Sequence, residues 1–299
     1  DVYKRQDDFQ FVNNMAQTYR FSGHESFPCK TLWLKKGYDF IANGKDFNSP
    51  DAVIDLGVGK NMVASIRFWL RAFGLTGVDG NLTDLGIYLF DEKAGKDKYL
   101  EDLATLWLLH FNIVFLQEAT MYNWLFCGLQ RERTQFTREQ VVNFARLRMI
   151  EVGKKNLFND NTAKKDVAVL LQNYALPRKA QTNEDYSSLL IDLDLIRQNV
   201  EGKDYYFNIE GKRKVTKEIF LYGLLKIKGT DNTIPYETIQ ERLGLLFCMN
   251  DSETINMLKE LSNTYSKYLA YSDVAGIRQI QFVGVLEPRK VLDDYYANI

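Results

Sequence analysis

Apolar residues recur at three- and four-residue intervals along most of the chain, and only a few short stretches alternate instead. The longer period predicts amphipathic helices in PCKTLWLKKGYDFIAN from Pro28, SPDAVIDLG from Ser49 and KNMVASIRFWLRAFG from Lys60. The first two carry Pro near their start, where a missing N–H costs nothing. A middle stretch reads as almost wholly helical: LEDLATLWLLHFNIVFL, TREQVVNFARLRMI and TAKKDVAVLLQNYA, with Thr137 and Gln140 spaced as a capping box. Beyond Glu201, KDYYFNI and RKVTKE read as short strands. Helices follow in KEIFLYGLLKIKG, PYETIQERLG and SETINMLKELSNTYSKY, and LAYSDVAGIRQIQFVG alternates around an Ala-Gly turn as a β-hairpin does.

These signals divide the chain into residues 1–98, 99–200 and 201–299. The first and third parts share an order of helix, short helix ending Leu-Gly, longer helix and extended pair. In the first, the extended pair is GLTGVDGNL, turning at Asp79-Gly80 before a helix that starts near Thr83. A hairpin after a helix-turn-helix is a wing, so the expected architecture is mainly α, of α+β class. Winged helix-turn-helix domains at both ends would flank a helical middle module.

Composition narrows the functional classes. The 299 residues are 45% hydrophobic and 26% charged with a formal charge of −1, so any nucleic-acid affinity must come from a local patch rather than a global field. Cys29, Cys127 and Cys248 are far apart and suggest neither a disulfide framework nor a zinc knuckle, which fits a reducing cytoplasm. The most apolar run, Leu103 to Leu116, is too short to cross a bilayer and contains His110 and Asn112, so it reads as buried core and no membrane role is expected. The opening DVYKRQ is set apart as an atypical start.

LGVGKN at 56–61 puts glycines and a lysine before a helix and raises a choice between a nucleotide loop and a DNA-contacting helix. A Walker A loop needs its first glycine where Ile54 stands and a hydroxyl where Asn61 stands; Gly44-Lys45 fails likewise at Asp39 and Asp46. No nucleotide or other cofactor is therefore expected. The helix-turn-helix alternative fits, because a helix from Lys60 to Phe73 puts Met62, Ile66, Trp69, Leu70 and Phe73 on one side and Lys60, Ala64, Arg67 and Arg71 on the other. Lys60 and Arg71 suit phosphates; Asn61, Ser65 and Arg67 have the donors to query base edges. About four phosphate contacts imply a salt slope near −3.6, so two modules or a homodimer would be needed for useful affinity. Lys35 and Lys36 on the first helix, and Lys212, Arg213 and Lys214 in EGKRKVTK, would extend a phosphate-tracking stripe. The third part's own reading helix, Ser252 to Tyr268, mixes Glu253, Glu260, Lys259 and Lys267 and suits protein docking better than DNA.

FSGHESFPCKTLWLKKGYD, LGVGKNMVASIRFWLRAFGL, YLEDLATLWLLHF and DVAGIRQIQF, in that order between Phe21 and Phe282, together resemble the bacterial domain-of-unknown-function family 4007. The resemblance implies no catalytic residues. It implies genes beside sulfur-transfer enzymes in DNA phosphorothioation or phage-defence clusters. The expected function is thus a non-enzymatic DNA-binding specificity or regulatory component, with duplex DNA and sulfur-transfer or other DNA-modification proteins as partners.

Two alternatives remain: a protein adaptor for those enzymes, and a magnesium-dependent nuclease. The nuclease would use Glu201-Gly-Lys203 or Glu210-Gly-Lys212 with Asp192 and Asp194, but glycine inside both pairs is better explained as turn chemistry. His24, Glu25 and Cys29 fall short of the four ligands zinc wants. Ser22 to Ser26 reads instead as a polar turn holding the N-terminus on the first helix, and no metal or catalytic site is expected.

Overall fold

A computed structural model describes residues 19–177 and 187–299; the DVYKRQ start lies outside them. Helix accounts for 51% and strand for 11%, so the chain is mainly helical with two small antiparallel sheets, an α+β arrangement.

The first part contains α1 (Trp33–Ala42), α2 (Ala52–Leu56), α3 (Lys60–Ala72) and α4 (Asp84–Phe90). α3 ends one residue short of the expected Phe73, which caps it. The extended pair after α3 is reduced to one bridge, Thr76 to Leu82, closed by Gly77 N–H donating to the Asn81 carbonyl. Thr83 then caps α4 by accepting from Gly86 N–H.

The core element is α5 (Leu103–Phe115), whose residues from Ala104 to Val114 are all buried. A helix apolar on every side has to be surrounded, and both ends of the chain do this. Tyr295 and Tyr296 of the last helix, α13 (Pro288–Tyr296), hydrogen-bond Asp102 and Thr105 at the start of α5. One apolar cluster runs from Trp33 through Trp107 to Tyr296; a smaller one joins Phe40, Ala52, Leu56 and Val63 beneath α2.

The middle stretch contains more than helices. After α6 (Thr120–Asn123), a π-helical turn (Trp124–Leu129) and α7 (Gln130–Glu132) comes β1 (Gln135–Thr137), then α8 (Arg138–Glu151), α9 (Asp160–Tyr174), β2 (Ile196–Gln198) and β3 (Asp204–Phe207). β3 lies between β1 and β2, pairing Phe136 with Tyr205 and Ile196 with Phe207. Three residues per strand are too few to show a period of two, which is why β1 hides at the head of a helical pattern. Thr137 ends β1 and also caps α8 through the expected box with Gln140.

The last part repeats that order: α10 (Lys217–Lys228), β4 (Thr233–Pro235), α11 (Tyr236–Ile239) with a π-helical turn to Gly244, α12 (Asp251–Thr264), β5 (Leu269–Val274) and β6 (Ile277–Phe282). Here too the strand between the helices pairs with the last one, in the order β4-β6-β5. Ala275 and Gly276 both take positive φ and turn the β5–β6 hairpin. RKVTKE, expected as a strand, is instead irregular from Arg213 to Val215, and Thr216 caps α10, whose first residues are Lys217 and Glu218. The β2–β3 hairpin straddles position 200, where the sequence suggested a boundary.

Candidate nucleic-acid interface

Gly57 ends α2 in the left-handed region (φ 59°, ψ 38°), and Gly59 then takes an extended conformation at the start of α3. A Cβ on Gly57 would meet nothing within 4 Å, so glycine serves backbone conformation there, not packing. α3 is set against α1 through Gly37, where a Cβ would fall 2.7 Å from Leu70 Cδ1. Ile66, Trp69 and Leu70 therefore sit in the core, with Trp69 Nε1 donating to the Phe27 carbonyl at 3.1 Å.

The opposite face of α3 presents Lys60, Asn61, Ala64 and Arg67, all exposed. Among the described residues no carboxylate pairs with Lys60 or Arg67; Arg67 Nη1 donates to Asn48 Oδ1 at 2.8 Å, a neutral contact that steers the guanidinium without discharging it. Two residues expected on this face are not available. Ser65 is fully buried, because at 100° per residue it falls about 40° from the buried Trp69 and about 160° from Arg67. Arg71 is 30% exposed, and its Nε lies 2.8 Å from Glu118 Oε2, a carboxylate that Arg20 also engages.

The expected lysine stripe is mostly used internally. Lys35 is buried and paired with Asp39 and Glu92, so it cannot reach a phosphate. Lys36 is exposed but donates to the Leu56 carbonyl at 2.7 Å, closing the end of α2, and Lys45 pairs with Asp55 of the same helix at 2.8 Å. These lysines brace α2 and the turn that leads into α3. Lys212 is only 4% exposed at its side chain and donates to Glu253 at 2.9 Å and to the Ile209 carbonyl, which removes it from any surface. Arg213 and Lys214 are exposed.

FSGHES does not cap α1. Ser22, Glu25 and Ser26 all have positive φ, and the loop is held by Asp166 of α9, whose carboxylate accepts from Ser22 N–H at 2.9 Å and faces His24 Nε2 at 2.8 Å. Ser26 N–H donates to His24 Nδ1, so the tautomer with hydrogen on Nε2 satisfies both ring nitrogens. The imidazole stacks on Trp69 with ring centres 6.2 Å apart, joining α3 to α9. His110, the other histidine, is fully buried between Tyr174 and the Leu246 carbonyl, and burial holds its pKa down at about 4.

Sequence reasoning missed Glu118, Asn48 and Asp166. They lie far along the chain from their partners, and no local pattern announces them.

A family model described as a protein of unknown function, DUF4007, matches residues 21–296. The chain belongs to the DUF4007 family. This DUF4007 protein is also similar to two crystal structures, SspB (TM-score 0.81) and magnesium-ion-bound SspB (TM-score 0.79). Each is 26% identical over 94% of this chain and 89% of the SspB chain. No curated protein matches the sequence. Among the described residues, no three His, Cys, Asp or Glu side chains are grouped to hold a metal ion. Among the described residues, no helix is long and apolar enough to cross a membrane.

Proposed function

We propose that this chain binds duplex DNA through α3 and works as a specificity or regulatory component of a DNA modification or defence system, without catalysis of its own. The observation that carries the reading is the outer face of α3: Lys60 and Arg67 stand exposed beside the small Ala64, and among the described residues no carboxylate is paired to either. A helix that presents cations around a small residue can approach a groove closely. Lys60 would hold a phosphate, while Arg67 and Asn61 would query guanine and adenine edges.

Three units with related element order support it. The middle and last units have the winged-helix order, helix, strand, two helices and a hairpin, with the first strand pairing the last. The first unit keeps the helix-turn-helix and a wing of one bridge. With Arg71 and Lys35 engaged internally, α3 offers two or three phosphate contacts, and the salt slope from this unit is about −1.8 to −2.7. Titrating labelled duplex at several salt concentrations tests the reading. Lys60→Glu with Arg67→Glu should abolish retention while the unfolding midpoint stays unchanged; undiminished binding by that variant would sink it.

Protein docking through the last unit is the second reading. Its α12 carries Asp251, Glu253 and Glu260, a poor surface for DNA, and the tip of its hairpin exposes Val274 and Ile277. Retention of sulfur-transfer enzymes by the chain, lost in Val274→Asp with Ile277→Asp, would support it. Magnesium, bound by SspB, does not fit the residues here: Lys212 is committed to Glu253, Asp194 is paired with Arg197, and no metal cluster exists among the described residues.

A further inference from the structure

We infer that α9 presents a second contact surface for duplex DNA, built on Lys164 and Lys165 and flanked by Asn161 and Gln172. The inference rests on the reading of α3 above and extends it to a helix that the sequence marked only as packing.

The middle unit places α9 where α3 stands in the first: it is the second of two consecutive helices, and a turn or hairpin follows it. At 100° per residue, Asn161, Lys164, Lys165, Ala168 and Gln172 fall within an arc of about 100°. Of these, only Ala168 is half-buried and the rest are exposed. The arrangement matches α3, with a small residue at the centre of a cationic and amide-bearing strip.

α9 carries two acids, and both are spoken for: Arg146 holds Asp160 at 2.7 Å, and Asp166 turns inward to Ser22 and His24. Neither lysine has an ion-pair partner among the described residues. The corresponding helix of the last unit, α12, carries Asp251, Glu253 and Glu260 against the single Lys259, with Glu253 and Glu260 paired to Lys212 and Lys217. Position in the unit therefore does not dictate positive charge, and α9 differs from α12 where a polyanion would meet it.

The two candidate helices are also mechanically joined. The Asp166 carboxylate grips the loop whose His24 ring stacks on Trp69 of α3, and Asn173 of α9 bonds both Tyr122 and the Cys29 N–H in the same core. The joint fixes the two helices relative to one another, so no entropy is lost in ordering one contact surface against the other.

The test is anisotropy of a labelled duplex of about 30 base pairs with the full chain at 50–200 mM salt, a range in which each phosphate contact contributes about 0.9 to the log–log slope. Lys164→Gln with Lys165→Gln should reduce the slope by about 1.8 and weaken binding about tenfold per lysine near 0.1 M salt. Both positions are exposed, so an unchanged unfolding midpoint is the folding control. If the wild type binds, the α3 variant fails and the α9 variant keeps the wild-type slope, this inference falls while the α3 reading stands. If the wild type shows no salt-dependent retention, both fall. Equal slopes on single-stranded DNA would overturn the assignment to duplex.

Discussion

Nε2 of His24 lies 2.8 Å from Oδ1 of Asp166, a buried hydrogen bond that crosses 142 positions of sequence and fastens a strained loop on α3 to helix α9. The same carboxylate accepts from Ser22 N–H, whose residue has φ of 70°. A non-glycine residue there costs free energy that surrounding interactions must offset. Asp166→Ala leaves the Ser22 and His24 donors without their acceptor, and stability should fall by about 2–4 kcal/mol, read as a lower urea midpoint. Asp166→Asn keeps one acceptor oxygen and should recover part of the loss. Full stability in Asp166→Ala would mean that the carboxylate does not hold the loop.

Glu118 discharges Arg71 from α5's C-terminal side, and the effect on DNA should be measurable in the opposite sense from most charge variants. Glu118→Gln removes a negative charge beside α3 and releases a guanidinium toward solvent. Duplex affinity should then rise, with the salt slope steeper by about 0.9 for one added phosphate contact. Arg71→Ala alone should change binding little. A Glu118→Gln variant with wild-type slope would show that Arg71 stays fixed by its packing.

Helices were legible wherever a buried stripe lasted several turns: α3, α5, α8 and α12 lie close to where the period puts them, and the Thr137–Gln140 box marks the start of α8. β1 and β2 were not, because three residues of strand take their stability from partners across the sheet and leave no rhythm of their own. The candidate site divides along the same line. Lys60, Asn61, Ala64 and Arg67 are exposed as helical geometry requires, whereas the fates of Arg71 and Lys212 depend on Glu118 and Glu253, which only tertiary contact brings near; Lys35 is held by Asp39 one turn along its own helix, a pair the spacing already offered. Ser65 is a different miss: one step of 100° from Ala64 sufficed to bury it, and the helical wheel itself carried that information.

Lys212 separates structural charge from binding charge. Its ammonium is almost fully enclosed and serves Glu253, which also accepts from the Asn250 N–H that begins α12. Lys212→Ala should lower stability by about 2 kcal/mol, since a buried acceptor and a carboxylate lose their donor. Duplex affinity at fixed salt should be unchanged. By contrast, Arg213 and Lys214 are exposed, and Arg213→Gln should leave the urea midpoint within about 0.5 kcal/mol of wild type. A drop in DNA affinity for Lys212→Ala at full stability would place that residue back on the binding surface.

His110 makes the fold sensitive to acid. The Leu246 carbonyl can only accept, so Nε2 carries the hydrogen and Nδ1 receives the Tyr174 hydroxyl; α5, α9 and the last unit meet at this ring. Burial lowers its pKa to about 4, below the ordinary value of about 6.5 that it regains on unfolding. Above pH 6.5 the ring is neutral in both states and its contribution is complete. As pH falls from about 6.5 to about 4, the unfolded chain binds a proton that the folded chain refuses, and stability drops by up to about 1.4 kcal/mol per unit, about 3 kcal/mol in all. Below pH 4 both states are protonated and this component flattens. Urea midpoints between pH 7 and pH 4 should show the decline in the wild type, and His110→Gln, less stable at neutral pH, should show a correspondingly shallower one. Parallel curves for the two proteins would mean that the imidazole takes up its proton without unfolding.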